Sequence, residues 1–296
     1  MRSLLGRIAD RVVQALVRRV RDHSPLDPRT SPATKLAIAA FHADWRARAR
    51  RCELLPQGLG VGARIFSQFE EDGLLLYLDA VLELEHCTFV DIGAADGINS
   101  NCANLALNLG WHGLFIDGNP QAIARGRRFY QEHADTQLWP PVFVEAFITR
   151  ENINQLILDA GFSGPIGIMS IDIDGNDYWV WEAVSAVDPA VVVIETHIEF
   201  GMRNIVVPYD PQHVYPGKHP DYFSASPVAM LRLAGRKGYR LVGANRYGFN
   251  LIFVRRGLYE DRVPEVSLDS VLTHPRYRAR LDRFDAIKDW KYETPE

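Results

Sequence analysis

The most constraining feature of this sequence is a regular alternation of strand and helix patterns beginning at Cys87 and closed by a terminal hairpin. Short apolar runs suited to strands fall at about 88–92, 113–117, 142–148, 166–173 and 190–196. Helical patterns occupy about 98–109, 120–133, 151–160 and 177–186 between them, punctuated by Gly110, Gly161 and Pro189. Strands separated by helices cannot pair through tight turns, so they are expected to lie parallel, joined by right-handed crossovers. An irregular stretch over 200–225 and a helix at 226–237 follow. Tyr239 to Ala244 and Phe249 to Arg255 are then joined only by Asn245-Arg246-Tyr247-Gly248, a loop so short that its strands must be antiparallel. The expected fold is α/β: a doubly wound, mostly parallel seven-stranded sheet with a terminal antiparallel hairpin.

The rest of the chain divides around this unit. The sequence predicts an N-terminal helical extension over 1–57, the α/β domain over 58–260, and a tail over 261–296 packed on that domain. Residues 1–22 place Leu4, Leu5, Ile8, Val12, Leu16 and Val20 at helical spacing, with six arginines against Asp10 and Asp22. A basic amphipathic helix either lies on an anionic membrane surface or buries its apolar face on the body or a second subunit. A second helix is expected from about Ala33 to Arg51. A third should open at Ser67-Gln68-Phe69-Glu70-Glu71-Asp72, with Ser67 as N-cap and the acids in the first turn.

Composition excludes several classes. The 33 basic and 37 acidic side chains give a net charge of −4, unlike a protein that coats nucleic acid. Cys52, Cys87 and Cys102 are too few and wrongly spaced for a disulfide scaffold or a CxxC zinc site, which fits a reducing, cytoplasmic setting. The longest charge-free stretch, Gly97 to Ile116, holds four asparagines and His112, too polar for a membrane span. Arg7, Asp10 and Arg11 break the apolar run that a secretory signal needs. Localisation is thus expected in the cytoplasm, or at the inner face of the membrane if residues 1–22 dock there.

The first strand runs into a glycine turn, Val90-Asp91-Ile92-Gly93-Ala94-Ala95-Asp96-Gly97. Glycines allow the sharp bend and close approach of a ligand at the strand's carboxyl end, where open parallel sheets bind ligands. GAADG is not GxGxxG, so the dinucleotide fingerprint is missing. Asp91 precedes the turn, where a carboxylate can meet a cationic amino group. Asp117 ends the next strand, where it can accept from both hydroxyls of an unphosphorylated ribose. An adenosine carrying an amino acid satisfies both acids, which points to S-adenosylmethionine.

The alternation, the turn, the acid ending strand two and the hairpin resemble class I methyltransferases, a Rossmann-like fold. More narrowly, Ser67-Gln68 with Glu71-Asp72, FVDIGAADG, SNCANL, Ser170-Ile171-Asp172-Ile173-Asp174-Gly175-Asn176-Asp177-Tyr178 and Val193-Ile194-Glu195 resemble the FkbM-type methyltransferases. The resemblance covers about 65–260. It implies O-methylation of a sugar, polyketide or glycolipid hydroxyl by S-adenosyl-L-methionine. It also implies that Asp91, Gly93, Ala94 and Gly97 contact the methionine part and that Asp117 holds the ribose, with Gly118 and Asn119 beside the adenine. Glu145-Ala146-Phe147 would meet the adenine edge, Gln68 and Asp72 would close over the cofactor, and Ser100 and Asn101 would either join them or cap the next helix.

Asp172, Asp174 and Asp177 place three carboxylates within six residues after strand four. In a continuing strand, Ser170, Asp172 and Asp174 would share one face, as would Glu195 and His197 ending strand five. Neighbouring carboxylates repel unless a cation or proton intervenes, and a carboxylate-rich set suits Mg²⁺ or a similar hard ion. DGNDY also resembles the DGDxY of metal-dependent macrolide sugar O-methyltransferases, departing from it at Asn176 and at Thr196-His197. That resemblance implies Asp174 and Glu195 as metal ligands, with His197, on the Glu195 face, as a third. In the competing reading Asp172 is structural, or contacts the cofactor, and Asp174 touches the amine or the acceptor. The catalytic candidates are His197, as a neutral base, and Asp174. The irregular 200–225 stretch is expected to cover the small-molecule or glycan acceptor, with Arg203, Tyr209, His213 and Tyr222 as contacts and Tyr178 facing the pocket.

Overall fold

The computed structural model describes residues 27–56 and 60–296. The basic amphipathic segment 1–22 lies outside the described residues. Seven strands form one sheet: β1 (Thr88–Ile92), β2 (His112–Asp117), β3 (Val142–Glu145), β4 (Gly164–Ile171), β5 (Val187–Glu195), β6 (Tyr239–Ala244) and β7 (Asn250–Arg255). Their order is β3-β2-β1-β4-β5-β7-β6. The first five are parallel, while β7 runs antiparallel between β5 and β6. This is the doubly wound seven-stranded α/β sheet that the strand and helix spacing predicts. The order reverses direction between β1 and β4, where such sheets open a ligand crevice at the strands' carboxyl ends.

Strand alternation sorts the core into two layers. Val90, Ile92, Leu114, Ile116, Met169, Ile171, Val192 and Ile194 point to one face. There they meet α5 (Ile153–Asp159), α6 (Asp177–Ala183) and α7 (Pro227–Arg236). Phe89, Phe115, Ile168, Val191, Val193 and Ile252 point to the other. That face is covered by α2 (Glu71–Leu82), α3 (Ala103–Leu109) and α4 (Pro120–Glu132), with α1 (Pro32–Arg50) packed outside α2. No helix among the described residues is long and apolar enough to cross a membrane.

Several boundaries differ from the expectation, each for a local reason. The strand predicted to run to 148 ends at Glu145, where the Ala146 N–H turns to the Asp117 carbonyl, 3.0 Å. Strand four stops at Ile171 and not at 173, because Asp174 adopts a left-handed backbone, φ 50°. Ser67 is not an N-cap. Helix α2 begins at Glu71, and the Ser67 hydroxyl instead donates to the Asp72 carboxylate, 2.8 Å.

The hairpin is tied to the start of α2. Glu71 is fully buried and accepts from the amides of Asn245 and Asn250, 2.9 Å each. Two further helices, α8 (Leu268–Val271) and α9 (Pro275–Arg280), lead into a 3-10 turn at Leu281–Ala286. Phe284 and Ile287 bury themselves against Phe200, and Val206 bridges to Glu293, so the chain's last residues pin the start of the 200–225 stretch.

Candidate functional site

Two cavities open at the carboxyl edge of the sheet, and they share a wall. The first, about 720 Å³, is lined by Gly93, Ala95, Asp117, Gly118, Asn119, Phe147, Ile148 and His213, among others. The second, about 540 Å³, is lined by Gln68, Phe69, Glu195, His197, Phe223 and Phe249, with Arg276, Arg280 and Arg283 from the C-terminal segment. Gly93, Asp172, Asp174 and Tyr215 line both.

The glycine turn builds the first cavity. Gly93 sits at φ 86°, and a Cβ there would lie 1.8 Å from the Asp172 carbonyl oxygen, so only glycine lets the β1 and β4 exits come this close. Asp117 Oδ2 accepts from Ala95 N–H, 2.8 Å, and its Oδ1 from Asn119 N–H, 2.7 Å. The carboxylate is thereby fixed on the cavity wall with lone pairs to spare. Asn119 also caps α4, its side chain accepting from Gln121 and Ala122.

Other residues expected around the cofactor are placed elsewhere. Asp91 alternates onto the α3 side of β1, only 2 % exposed, and accepts from Cys102 N–H at 3.4 Å. Ala94 is buried, and Ala95 takes its place on the wall. Gly97 packs on the Phe115 ring and accepts from the Tyr130 hydroxyl, 2.6 Å. Asn101 lines neither of these cavities and does not cap α3; it donates to the Ser170 hydroxyl, 3.1 Å. Asp72 is buried as the anchor of residues 65–67, accepting from three successive backbone N–H groups. Burial pushes its pKa up to about 6 against those bonds. Gln68, exposed, does reach the second cavity. Of the Glu145-Ala146-Phe147 run, Glu145 and Ala146 stay off the wall, while Phe147 reaches it together with Ile148.

Asp91 carries a pH signature. Burial pushes its carboxyl up to about 6 from 3.8, opposed by hydrogen bonds from Ser100, Cys102 and Ser170. The unfolded chain releases this proton near pH 4 and the folded chain near pH 6. The folded state therefore holds more protons in that window, and stability falls as pH rises through it. The group's contribution is greatest below pH 4, drops by about 3 kcal/mol by pH 6 and is flat above. Asp91→Asn is expected to make the fall in stability between pH 4 and 7 shallower in urea unfolding, while Asp72, raised in the same way, keeps its own share. An unchanged slope would remove the account.

The acids sort into two clusters. Asp172, Asp174 and Glu195 bring ligand atoms within 4.8 Å of one another at the junction of the cavities. Burial pushes Asp172 and Glu195 well up, and mutual repulsion adds to it. Glu195 Oε2 is buried without a hydrogen-bond partner. Asp177 is not part of this group: its carboxylate closes its own turn, accepting from Ile173 N–H at 2.9 Å and Gly175 N–H at 3.1 Å.

His197 leaves the expected metal set. Strand β5 ends at Glu195, and the chain turns into a 3-10 segment at Ile198–Phe200, so alternation no longer aligns His197 with Glu195. Instead His197 joins Glu199 and Asp221, all three buried. Its Nδ1 lies 3.6 Å from Glu199 Oε2, and its Nε2 is buried without a partner. Phe200 and Phe223 flank the ring at centroid distances of 4.6 and 4.4 Å. Burial lowers its pKa against the pull of Glu199, keeping the imidazole neutral at pH 7. Glu199 pairs with Arg280, and Asp221 with Arg283 at 2.8 Å. These partners were not legible in the sequence, since Asp221, Arg280 and Arg283 come from distant segments.

Of the expected acceptor contacts, His213 alone lines either of these two cavities. Its Nε2 lies 3.1 Å from the Asp174 carbonyl oxygen, and Tyr215 follows it onto the shared wall. Tyr178 is 1 % exposed and hydrogen-bonds Arg236, 2.7 Å, on the far side of α6. Arg203 stacks on Phe284 and donates to the Phe200 carbonyl. Tyr209 hydrogen-bonds Glu151 under the Arg150 guanidinium. Tyr222 donates to the Lys291 carbonyl and packs with Trp290 and Tyr292. The 200–225 stretch thus spends most of its aromatic residues attaching itself to the body. The Asn176 amide donates to Asp210 and the Trp179 indole to Val207.

No family model matches the chain, and no curated protein does. Among solved structures it is similar to an O-methyltransferase from Bacillus cereus in complex with S-adenosylhomocysteine, at 13% identity and TM-score 0.42, over 81% of this chain and 97% of that one. It is also similar to an O-methyltransferase family protein from Burkholderia thailandensis, at 13% identity and TM-score 0.37, over 75% and 71%. A third is the magnesium protoporphyrin IX methyltransferase from Synechocystis PCC 6803 with bound S-adenosylmethionine, at 15% identity and TM-score 0.34, over 78% and 99%. The fold follows from the strand order and the site from its own geometry.

Proposed function

We propose that the chain is an S-adenosylmethionine-dependent O-methyltransferase acting on a sugar hydroxyl of a glycan, glycolipid or glycosylated natural product. The observation that carries this reading is the pair of cavities meeting at Gly93, Asp172 and Asp174. Transfer between two bound molecules needs two sites with one shared wall, and their meeting there supplies the alignment that in-line displacement requires. The first cavity suits the donor: Asp117 faces the ribose, Gly118 and Asn119 flank it, and Phe147 offers an apolar surface to the base. The second cavity suits the acceptor.

The donor's sulfonium carries its own activation: the oxygen–methyl bond forms as the sulfur–methyl bond breaks, and the electron pair stays on sulfur. The protein must then hold the hydroxyl in line and take its proton. His197 lines the acceptor cavity as a neutral imidazole with an unpartnered Nε2, which makes it the proposed base. The clustered Asp172, Asp174 and Glu195 fit a hard divalent cation, because the buried, unpartnered Glu195 oxygen and the mutual repulsion both call for positive charge. Such an ion would lower the pKa of a nearby hydroxyl.

Calorimetric titration with S-adenosylhomocysteine tests the donor site. Micromolar binding is expected for the wild type. Asp117→Ala should weaken it by about 10–100-fold, the size of two charge-assisted hydrogen bonds less what water restores, with the melting temperature little changed. No binding to the wild type would sink the reading, and unchanged affinity in the variant would remove the ribose role.

A further inference from the structure

We infer that the acceptor bears an oxyanion, a carboxylate or a phosphate, in addition to the hydroxyl, and that Arg276 recognises it. The inference rests on the methyl-transfer reading above. Arg276, Arg280 and Arg283 recur at spacings of four and three, which brings them to one side of the segment α9 begins, and all three line the acceptor cavity. Two of them are already matched in charge. Arg280 pairs with Glu199 and Arg283 with Asp221, acids only 3 % and 5 % exposed.

Arg276 differs. It makes no ion pair with any carboxylate among the described residues, and its guanidinium lies 5.4 Å from the Tyr247 ring centroid. Stacking on an aromatic face restrains the plane of the guanidinium while leaving its N–H edges open. That planar fork matches a carboxylate or phosphate in two parallel hydrogen bonds. A neutral sugar would need no third arginine on this wall, since hydroxyls are served by amides, hydroxyls and carboxylates. Position also orients an anionic acceptor. Arg276 lines the second cavity and not the first, which leaves the oxyanion at its end and the hydroxyl at the junction.

The test uses the full chain saturated with S-adenosylhomocysteine, titrated with D-glucuronate, D-glucose 6-phosphate and D-glucose. At least one anion is expected to bind tenfold or more tightly than glucose. Preference for glucuronate identifies a carboxylate, and preference for the phosphate ester identifies a phosphate. Arg276→Gln should abolish the preference without changing affinity for S-adenosylhomocysteine. Arg278→Gln, an exposed arginine of the same helix that lines neither cavity, should keep it. The inference is overturned if neither anion outbinds glucose, if Arg276→Gln retains the preference, or if Arg278→Gln loses it equally. Failure of S-adenosylhomocysteine itself to bind would instead overturn the methyl-transfer reading.

Discussion

His197→Ala is expected to lower turnover by roughly 10²–10⁴-fold, the usual worth of a positioned general base, while leaving the affinity for S-adenosylhomocysteine unchanged. The two effects separate because His197 lines the second cavity and not the first. The pH profile adds a second reading. A base works only when unprotonated, and burial lowers this imidazole's pKa. The acid limb of kcat should therefore fall below the pH at which an ordinary histidine protonates, near 6.5, and it should vanish in the variant. Glu199→Gln tests the positioning of the ring. Without the carboxylate beside Nδ1, protonation becomes harder and the acid limb should move to still lower pH. Wild-type turnover in His197→Ala would remove the base role.

Gly93→Ala is expected to be the most damaging single methyl in the domain's binding edge. The added carbon meets the Asp172 carbonyl oxygen, a backbone atom that cannot swing aside as a side chain would. A positive φ adds about 1–2 kcal/mol for any residue with a Cβ. Separating β1 from β4 to relieve the clash should bring the total to about 3–5 kcal/mol, at the severe end of single substitutions. Gly161→Ala supplies the control. It has the same backbone strain, φ 87°, but a Cβ there meets nothing within 4 Å, so about 1–2 kcal/mol is expected. Urea unfolding of both variants reads the difference, and donor binding should be lost only in Gly93→Ala. Equal costs would show that the close approach at Gly93 is readily relaxed.

Both predictions turn on residues that the chain singles out, while the partners of those residues are not visible in it. Gly93 stands out because a glycine follows an apolar strand. That its neighbour would be the Asp172 carbonyl depends on β4 inserting beside β1, across some eighty intervening residues. His197 was legible as a polar residue near the end of strand five. Its grouping with Asp174 and Glu195 assumed that strand alternation continues past the strand. It does not: β5 stops at Glu195, the backbone turns, and the ring swings among Phe200, Phe223 and Glu199. Asp172 fills the vacated place in the acidic cluster. Tyr178 illustrates the same limit from the other side. It begins a helix near the site, but the helical face decides its direction, and its hydroxyl ends on Arg236.

What the sequence determined by itself was the sheet: strand and helix periods depend on near neighbours, and the short loop at residues 245–248 admits only an antiparallel pair. It also marked the turn after β1 and the acid ending β2, because a backbone bend and a strand end leave local signatures. Only the tertiary structure decided which groups meet beyond those ends. There the side-chain period is lost, and contacts such as Asp221 with Arg283 or Arg276 with the second cavity arise from segments brought together by packing.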